Sequence, residues 1–265
     1  MLARGVTPDE DSLAYLTPHL QSADLALANL ESPLTNVPEQ MDSPYVLCAP
    51  TKHARFLAEW GLDLLSLANN HRLDCGEAGL ADTRAVLDAA GLMSIGPGFH
   101  PVYRLTNGVT LAFLAFDDVS APLDAGAAAQ AIRAARAEGA LVVVSIHWGA
   151  EYQGGASERQ KSLAHEFAEA GAVLVWGHHP HVLQPAEWIE TSQGRALVLY
   201  SLGNALFDQH GLADTRRSAL VLVVIGADGI REVRAVPFVI DAANSRLIPP
   251  DAHAAEKILE LMRIP

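Results

Sequence analysis

The middle of this 265-residue chain alternates between two periodicities, and that alternation restricts its architecture more than any other feature. "VTLAFLAFDD" (109–118), "ALVVVSIHWG" (140–149) and "AVLVWGHH" (172–179) are apolar runs of strand length, the second rich in β-branched residues. Between them, "DAGAAAQAIRAARAEG" (124–139) and "SERQKSLAHEFAEAG" (157–171) read as helices. Strand, helix and strand in repetition imply a largely parallel sheet covered on both faces.

The flanks extend the pattern. "ADLALANLE" (23–31) and "DLLSLANNH" (63–71) are further apolar runs that end in polar residues. "TKHARFLAEWG" between them reads as a helix stopped by Gly61. "EAGLADTRAVLDAAG" (77–91) carries Leu80, Thr83, Val86, Leu87 and Ala90 along one helical stripe. Near the start, "TPDEDSLAYLTPHLQ" has Thr7 as N-cap and Pro8 at the first helical position, which predicts a helix or a pair of helical turns. After position 182, "RALVLYSLGN", "SALVLVVIG" and "REVRAVPFVI" follow one another across short turns and predict antiparallel pairing. "DAHAAEKILELMRI" closes as a helix, and no linker divides residues 1–265, so the chain reads as one α/β domain.

A formal charge of -13 argues against nucleic acid as a partner, because phosphate neutralisation needs a basic surface. The same charge would repel a phosphorylated substrate unless metal ions reversed its sign locally. No run reaches the roughly 18 to 20 apolar residues of a membrane span. The opening "MLARGVTPDE" has no basic region leading into an apolar one, so the chain as written reads as soluble. Cys48 and Cys75 form no zinc-ligand pattern and no disulfide framework; they could pair in an oxidising compartment, but buried or loop thiols are expected.

The polar clusters share a location. Glu31 follows "ALANL"; Asn69, Asn70 and His71 follow "LLSLA"; His147 follows "VVVSI"; His178, His179 and His181 follow "LVWG"; Asn204 follows "LYSLG". Each stands at the C-terminal end of an apolar strand, and in an open sheet those ends share one ligand-binding edge. Carboxylate with imidazole suits Mn²⁺, Fe²⁺ or Zn²⁺ better than Mg²⁺ or Ca²⁺. Such a ligand set can hold two ions, which activate a water and clamp a phosphoryl oxygen. Residue by residue, structural readings compete with this one. His147 alone is as compatible with a satisfied core histidine, Asn69 and Asn70 with a turn, and Glu31 with a cap. Asp74 is compatible with ligating, with orienting His71 and with capping the next helix.

"ANLESPLT", "LANNHRLDCGEAGL", "SIHWGAEYQ", "GHHPHVLQPAEWI" and "YSLGNALFD" together resemble the CapA family of poly-γ-glutamate and capsule synthesis proteins, whose domain is similar to calcineurin-like metallophosphoesterases. The resemblance implies a sandwich of two mixed β-sheets flanked by helices, with a metal centre at the strand ends. By similarity Glu31, Asn70, His147, His179 and His181 are metal ligands. His71 is the general acid or phosphate-contacting group, with Asp74 in its catalytic company. Asn69, Glu151, His178 and Asn204 support the ligands or touch substrate. Family members begin with a strand ending in Gly-Asp, whose Asp is a ligand, shortly before a stretch similar to "MLARGV". Here that strand is expected to be missing, which implies N-terminal truncation, with the second ion and any envelope association depending on an absent segment.

Two functions follow as expectations. One is a metal-dependent phosphoesterase acting on a phosphoester or polymer-related substrate. The other is a non-hydrolytic component of an extracellular polymer synthesis or export machine, working with other capsule-synthesis proteins, its metal site retained for binding or vestigial.

Overall fold

A computed structural model describes residues 6–37, 45–209 and 211–264. The opening Met1 to Gly5, on which the expected departure from the family rests, lies outside them.

The alternating middle builds a six-stranded mixed sheet in the order β4 (Gly98–Thr106), β5 (Val109–Asp117), β6 (Leu141–His147), β7 (Ala172–His178), β9 (Gly194–Leu202) and β8 (Leu183–Thr191). β5, β6, β7 and β9 run parallel, so their C-terminal ends share an edge. Because side chains alternate along a strand, the sheet's two faces are built from interleaved residues. Ala112, Leu114, Val142, Val144 and Ile146 face α4 (Ala125–Ala137) and α5 (Glu158–Ala170). Leu111, Phe113, Ala115, Leu141 and Val143 face the other way. With both faces covered, the strands must be apolar throughout, which is why they read as continuous runs rather than alternating ones.

The opposite layer comes in two pieces. β1 (Leu27–Asn29), β2 (Leu64–Ser66) and β3 (Met93–Ile95) form a parallel sheet, connected through α2 (Ala54–Glu59) and α3 (Gly76–Ala89). Gly61, at φ +89°, follows α2 as its sequence predicts. β10 (Arg217–Gly226), β11 (Gly229–Ile240) and β12 (Leu247–Ile248) form an antiparallel sheet, with α6 (Ala252–Met262) packed beside it, so the expected antiparallel pairing holds for "SALVLVVIG" and "REVRAVPFVI". It does not extend to "RALVLYSLGN", which forms β9 in the six-stranded sheet, parallel to β7 and antiparallel to β8. The architecture is thus an α/β layering of several sheets flanked by helices, with one mixed sheet facing two smaller ones.

Two further expectations are corrected. Thr7 and Pro8 do not open a helix. Residues 10–16 form successive turns, and regular helix α1 spans only Thr17–Ser22. Pro18 lies in the first turn of α1, where its missing N–H removes no helical bond, whereas an earlier start would put it inside the helix. The cysteines are not free thiols either. Cys48 and Cys75 form a disulfide with Cα atoms 6.1 Å apart. The segment after Thr35 returns beside Leu34 through a bridge at Ala49, and the Leu47 N–H donates to Asp74 Oδ2 at 2.8 Å. That tertiary closure, not the 27-residue separation, brings the sulfurs together. Reduction is expected to cost about 2 to 4 kcal/mol, read as a drop in denaturant midpoint with dithiothreitol.

Gly177 shows how tightly the sheet is built beneath the histidines. A Cβ there would collide with Trp148 Nε1 and the Tyr200 carbonyl, which are hydrogen-bonded to each other at 2.9 Å across it. Gly177→Ala is therefore expected to lose roughly 1 to 3 kcal/mol of stability, measured by urea unfolding. Retention of wild-type stability would mean the Trp148–Tyr200 pair has room to move.

Candidate metal centre

Parallel register sets the first layer of the site. Asp117, His147 and His178 are consecutive partners at the ends of β5, β6 and β7. The loop after β7 then turns sharply, with His179 at φ +105° and His181 at φ +60°. Non-glycine residues in that region cost about 1 to 3 kcal/mol each and persist only where surrounding contacts hold them. Here the Trp148 N–H donates to the His178 carbonyl at 3.1 Å and the Tyr152 N–H to the Pro180 carbonyl at 2.8 Å. His181 Nδ1 is bound to Asn204 Oδ1 at 2.8 Å. The Asn204 amide is itself oriented, because its Nδ2 donates to the Thr215 carbonyl at 3.0 Å. Asn204 therefore accepts from His181 Nδ1–H, and His181 Nε2 keeps its lone pair.

A buried relay fixes His147 in the same way. Ser145 donates to Ser66 at 2.8 Å and accepts from His178 Nε2–H at 2.9 Å. His178 Nδ1 then accepts from His147 Nδ1–H at 2.6 Å. In this tautomer the His147 Nε2 lone pair lies 2.7 Å from Asn70 Oδ1 and 3.7 Å from Glu31 Oε1. Three acceptors around one point suit a cation.

Glu31 Oε1 and His179 Nδ1 strengthen that fit, since both are buried with no hydrogen-bond partner among the described residues. An unpaired buried polar atom is costly, and a coordinated cation would relieve both. Glu31, His147 and His179 can offer atoms within 4.8 Å of one another, as can Glu151, His179 and His181. His181 Nε2 lies 3.9 Å from both Glu31 and Glu151. The residues present thus fit one or more divalent ions bound by imidazole and carboxylate.

The remaining residues hold this frame. Asn69 is fully buried and donates to Asn29 Oδ1 at 3.1 Å and the Leu30 carbonyl at 2.9 Å, tying the β1 and β2 ends together. Asn29 in turn donates to Glu31 Oε2 at 3.0 Å. Asp74 Oδ2 accepts from His71 Nδ1 at 2.9 Å, so of the three readings open for it the geometry favours orienting His71. Glu151 stands at the partly exposed rim, on a loop braced by Gln184, whose Nε2 donates to the Gln153 and Gly155 carbonyls at 2.9 and 3.2 Å. Gln184 is held by Gln160, the same residue that completes the capping box of α5 with Ser157. All eleven expected residues are thus in or directly beside one site. Asp117, Ser66 and Ser145 were not expected there. Their only signal was a polar side chain inside or ending an apolar run. Asp117 is held at 2.5 Å by Arg72, from the His71 loop.

Charge follows burial. Desolvation pushes the Glu31 carboxyl up to about 7, with His71 pulling the other way. It lowers His178 to about 3 and His181 to about 4, and drives His147 well below its ordinary value. His179 is lowered too, mainly by burial. For His71, burial pulls downward, but the bonded Asp74 carboxylate together with Glu31 and Glu151 outweighs it and the net shift is upward. At neutral pH the deeper imidazoles are therefore uncharged, the form that binds metal.

The profile of the matched family covers residues 3–209 and is described as bacterial capsule synthesis protein PGA_cap. The chain belongs to this family. It is 32% identical over 267 residues to the PGA biosynthesis protein CapA of Bacillus subtilis, an alignment covering 92% of this chain and 69% of that protein. It is 31% identical to the capsule biosynthesis protein CapA of Bacillus anthracis, over 88% of this chain and 62% of that one. A probable polyglutamine synthesis accessory protein of Mycobacterium tuberculosis is 27% identical over 77% of this chain and 61% of its own length. A crystal structure of a hypothetical protein from Thermus thermophilus superposes with a TM-score of 0.57 at 17% identity, covering 89% of this chain and 97% of that one, which shows the shared fold. The PGA_cap match contains every expected site residue, from Glu31 to Asn204.

Depressed imidazoles take up protons more readily when unfolded, where their pKa is about 6.5. With His178 near 3 and His181 near 4, metal-free protein should lose stability as pH falls below about 6.5. Glu31, raised to about 7, acts oppositely above 4.5, because the folded state there binds its proton. Thermal melts of chelated protein from about pH 7 to about pH 4.5 should fall, and should fall more steeply in Glu31→Gln.

Proposed function

We propose that residues 1–265 form one metal-dependent phosphoesterase domain serving capsule or poly-γ-glutamate synthesis. The observation that carries this reading is the meeting of Glu31 Oε1 and His179 Nδ1, both buried and without a hydrogen-bond partner among the described residues, with the lone pairs of His147 and His181. Glu31, Asn70, His147, His179 and His181 would hold the metal, one ion or two, with Mn, Fe or Zn best matched to these donors. When bound, such ions polarise a phosphoryl oxygen and lower the pKa of a coordinated water.

The chain's own residues do the rest. His71 keeps Nδ1 on Asp74, so Nε2 is the atom that would give a proton to the leaving oxygen. The raised pKa of His71 keeps that proton available near neutrality. Asn204 and His178 hold His181 and His147 in the ligating tautomer. Glu151, Asn69 and Asp117 would shape the entrance, brace the loop and anchor Arg72. Partners would be other polymer-synthesis proteins, as the relatives' names suggest. No described helix is long and apolar enough to cross a membrane. The Cys48–Cys75 disulfide supports work on the oxidising side of a membrane.

The relatives' names, which speak of biosynthesis and accessory roles, favour a second reading in which the centre binds metal without hydrolysis. Metal analysis and turnover of an aryl phosphate ester separate the two. His179→Ala and His181→Ala should lose most bound metal. His71→Ala should keep it and lose roughly 100-fold in turnover, the usual scale for a general acid. Equal metal loss in all three variants would overturn the division of roles. Full metal occupancy without turnover would favour the second reading.

A further inference from the structure

His71 stands on irregular backbone. Residues 70–75 are successive turns between β2 and α3, so the direction of its ring depends on side-chain bonds rather than on strand or helix geometry. Its partner Asp74 uses one oxygen twice. Oδ2 takes His71 Nδ1 at 2.9 Å and the Leu47 N–H at 2.8 Å. The Leu47 amide thus fixes the carboxylate that fixes the imidazole. Leu47 itself lies on an irregular segment, tied back to Pro33 and Thr35 through two backbone bonds of 2.8 Å at Ala49.

Cys48 follows Leu47 and Cys75 follows Asp74, so the disulfide stands one residue along the chain from each end of that hydrogen bond. With the sulfurs joined, the bond closes a small ring of Leu47, Cys48, Cys75 and Asp74. With them apart, the same contact closes across a sequence separation of 27, at a higher entropic cost. The metal-site residues are held by other means. Asn69 bonds Asn29 and the Leu30 carbonyl, and Asn29 bonds Glu31. The start of α3 is anchored separately, since the Leu34 N–H donates to Thr83 Oγ1 at 2.8 Å and Thr35 Oγ1 to Asp82 Oδ2 at 2.6 Å. Opening the disulfide therefore loosens Leu47, Asp74 and His71 while leaving the ligands fastened.

We propose that the Cys48–Cys75 disulfide positions His71 and makes the work of this site depend on redox state, a regulation that rests on the phosphoesterase reading. The chain has two cysteines, so neither has another partner within it. Cys75 is fully buried and Cys48 partly exposed, which directs a dithiol reductant to Cys48 Sγ. The S–S bond breaks, and Cys75 leaves as a thiolate that takes up a proton. The reductant's second thiol then displaces Cys48, closing a disulfide of its own, and two electrons have passed to the protein. An acid displaced by about an ångström loses much of its effect on the leaving oxygen. Where thiols are kept reduced the domain would hold metal and turn over slowly, and oxidation would complete it.

Oxidised protein, protein reduced by a dithiol and desalted under argon, and Cys48→Ser/Cys75→Ser are each equilibrated with Mn²⁺ and assayed on an aryl phosphate ester. Reduced protein and the double variant should lose about tenfold or more in kcat, with KM and bound Mn²⁺ within about twofold of the oxidised protein. Reoxidation should restore the reduced protein and leave the variant unchanged. The Leu47 amide should exchange about tenfold faster while the amides of β6 keep their protection. A purely stabilising link would lower the melting temperature and leave kcat at the assay temperature as it was, which overturns the inference. So does parallel loss of Mn²⁺ or of protection in β6, which would make the link a staple of the whole domain. Absence of turnover even in oxidised protein would sink the phosphoesterase reading instead. The Leu47 amide then decides, faster exchange on reduction upholding the brace and unchanged exchange overturning it.

Discussion

The register of three parallel strands governs this molecule. Hydrogen bonding between β5, β6 and β7 sets Asp117 beside His147 and His147 beside His178. A slip of one residue would turn His147 toward α4 and α5 and put Ile146 at the site. The interleaved faces prevent that slip, since the even-numbered residues of β6 fill one core and the odd-numbered residues the other. Burial of apolar side chains is thus what aims the imidazoles.

Once aimed, the imidazoles are held by groups that do not themselves face the site. Ser145 and Ser66 end a relay that fixes His178 and, through it, His147. Asn204 does the same for His181. The left-handed backbone at His179 and His181 is held by bonds to the strand-end loop after β6. This is how a chain of strongly negative net charge can keep neutral imidazoles and a half-neutral carboxyl at a deep point. Burial disfavours the charged form of Glu31 and of the deeper imidazoles, and leaves those imidazoles in the neutral form that a cation binds.

The His71 loop is secured from another direction. Asp74 binds His71 and the Leu47 backbone with one oxygen, and the next residue, Cys75, is linked to Cys48, which follows Leu47. The covalent link and the hydrogen bonds therefore brace the same junction. On the far side Arg72 reaches Asp117 and ties this loop to the central sheet. Among the described residues β1 and β10 each end one of the two smaller sheets, and both line one cavity beside the centre.

Much of this was legible in the order of residues. Continuous apolar runs separated by helical stripes carry their own periodicity, so the parallel sheet, α3 to α6 and the β10–β11 pair could be read locally, but not that β9 joins the central sheet instead of that pair. Because each polar cluster ends such a run, Glu31, Asn70, His147, His179 and His181 could be assigned to one edge without coordinates. What could not be read depends on distance along the chain. The Cys48–Cys75 bond closes through a returning segment, and neither thiol's neighbours record its partner. The turns at 10–16 replaced the expected early helix because Pro18 and packing, not the Thr7–Pro8 signal, decided where the helix begins. Ser66 and Ser145 touch only because β2 crosses β6, although 79 residues separate them. Local sequence determines which elements form and which ends are polar. Only tertiary packing decides which polar atoms meet, because that depends on faces and registers fixed by the whole core.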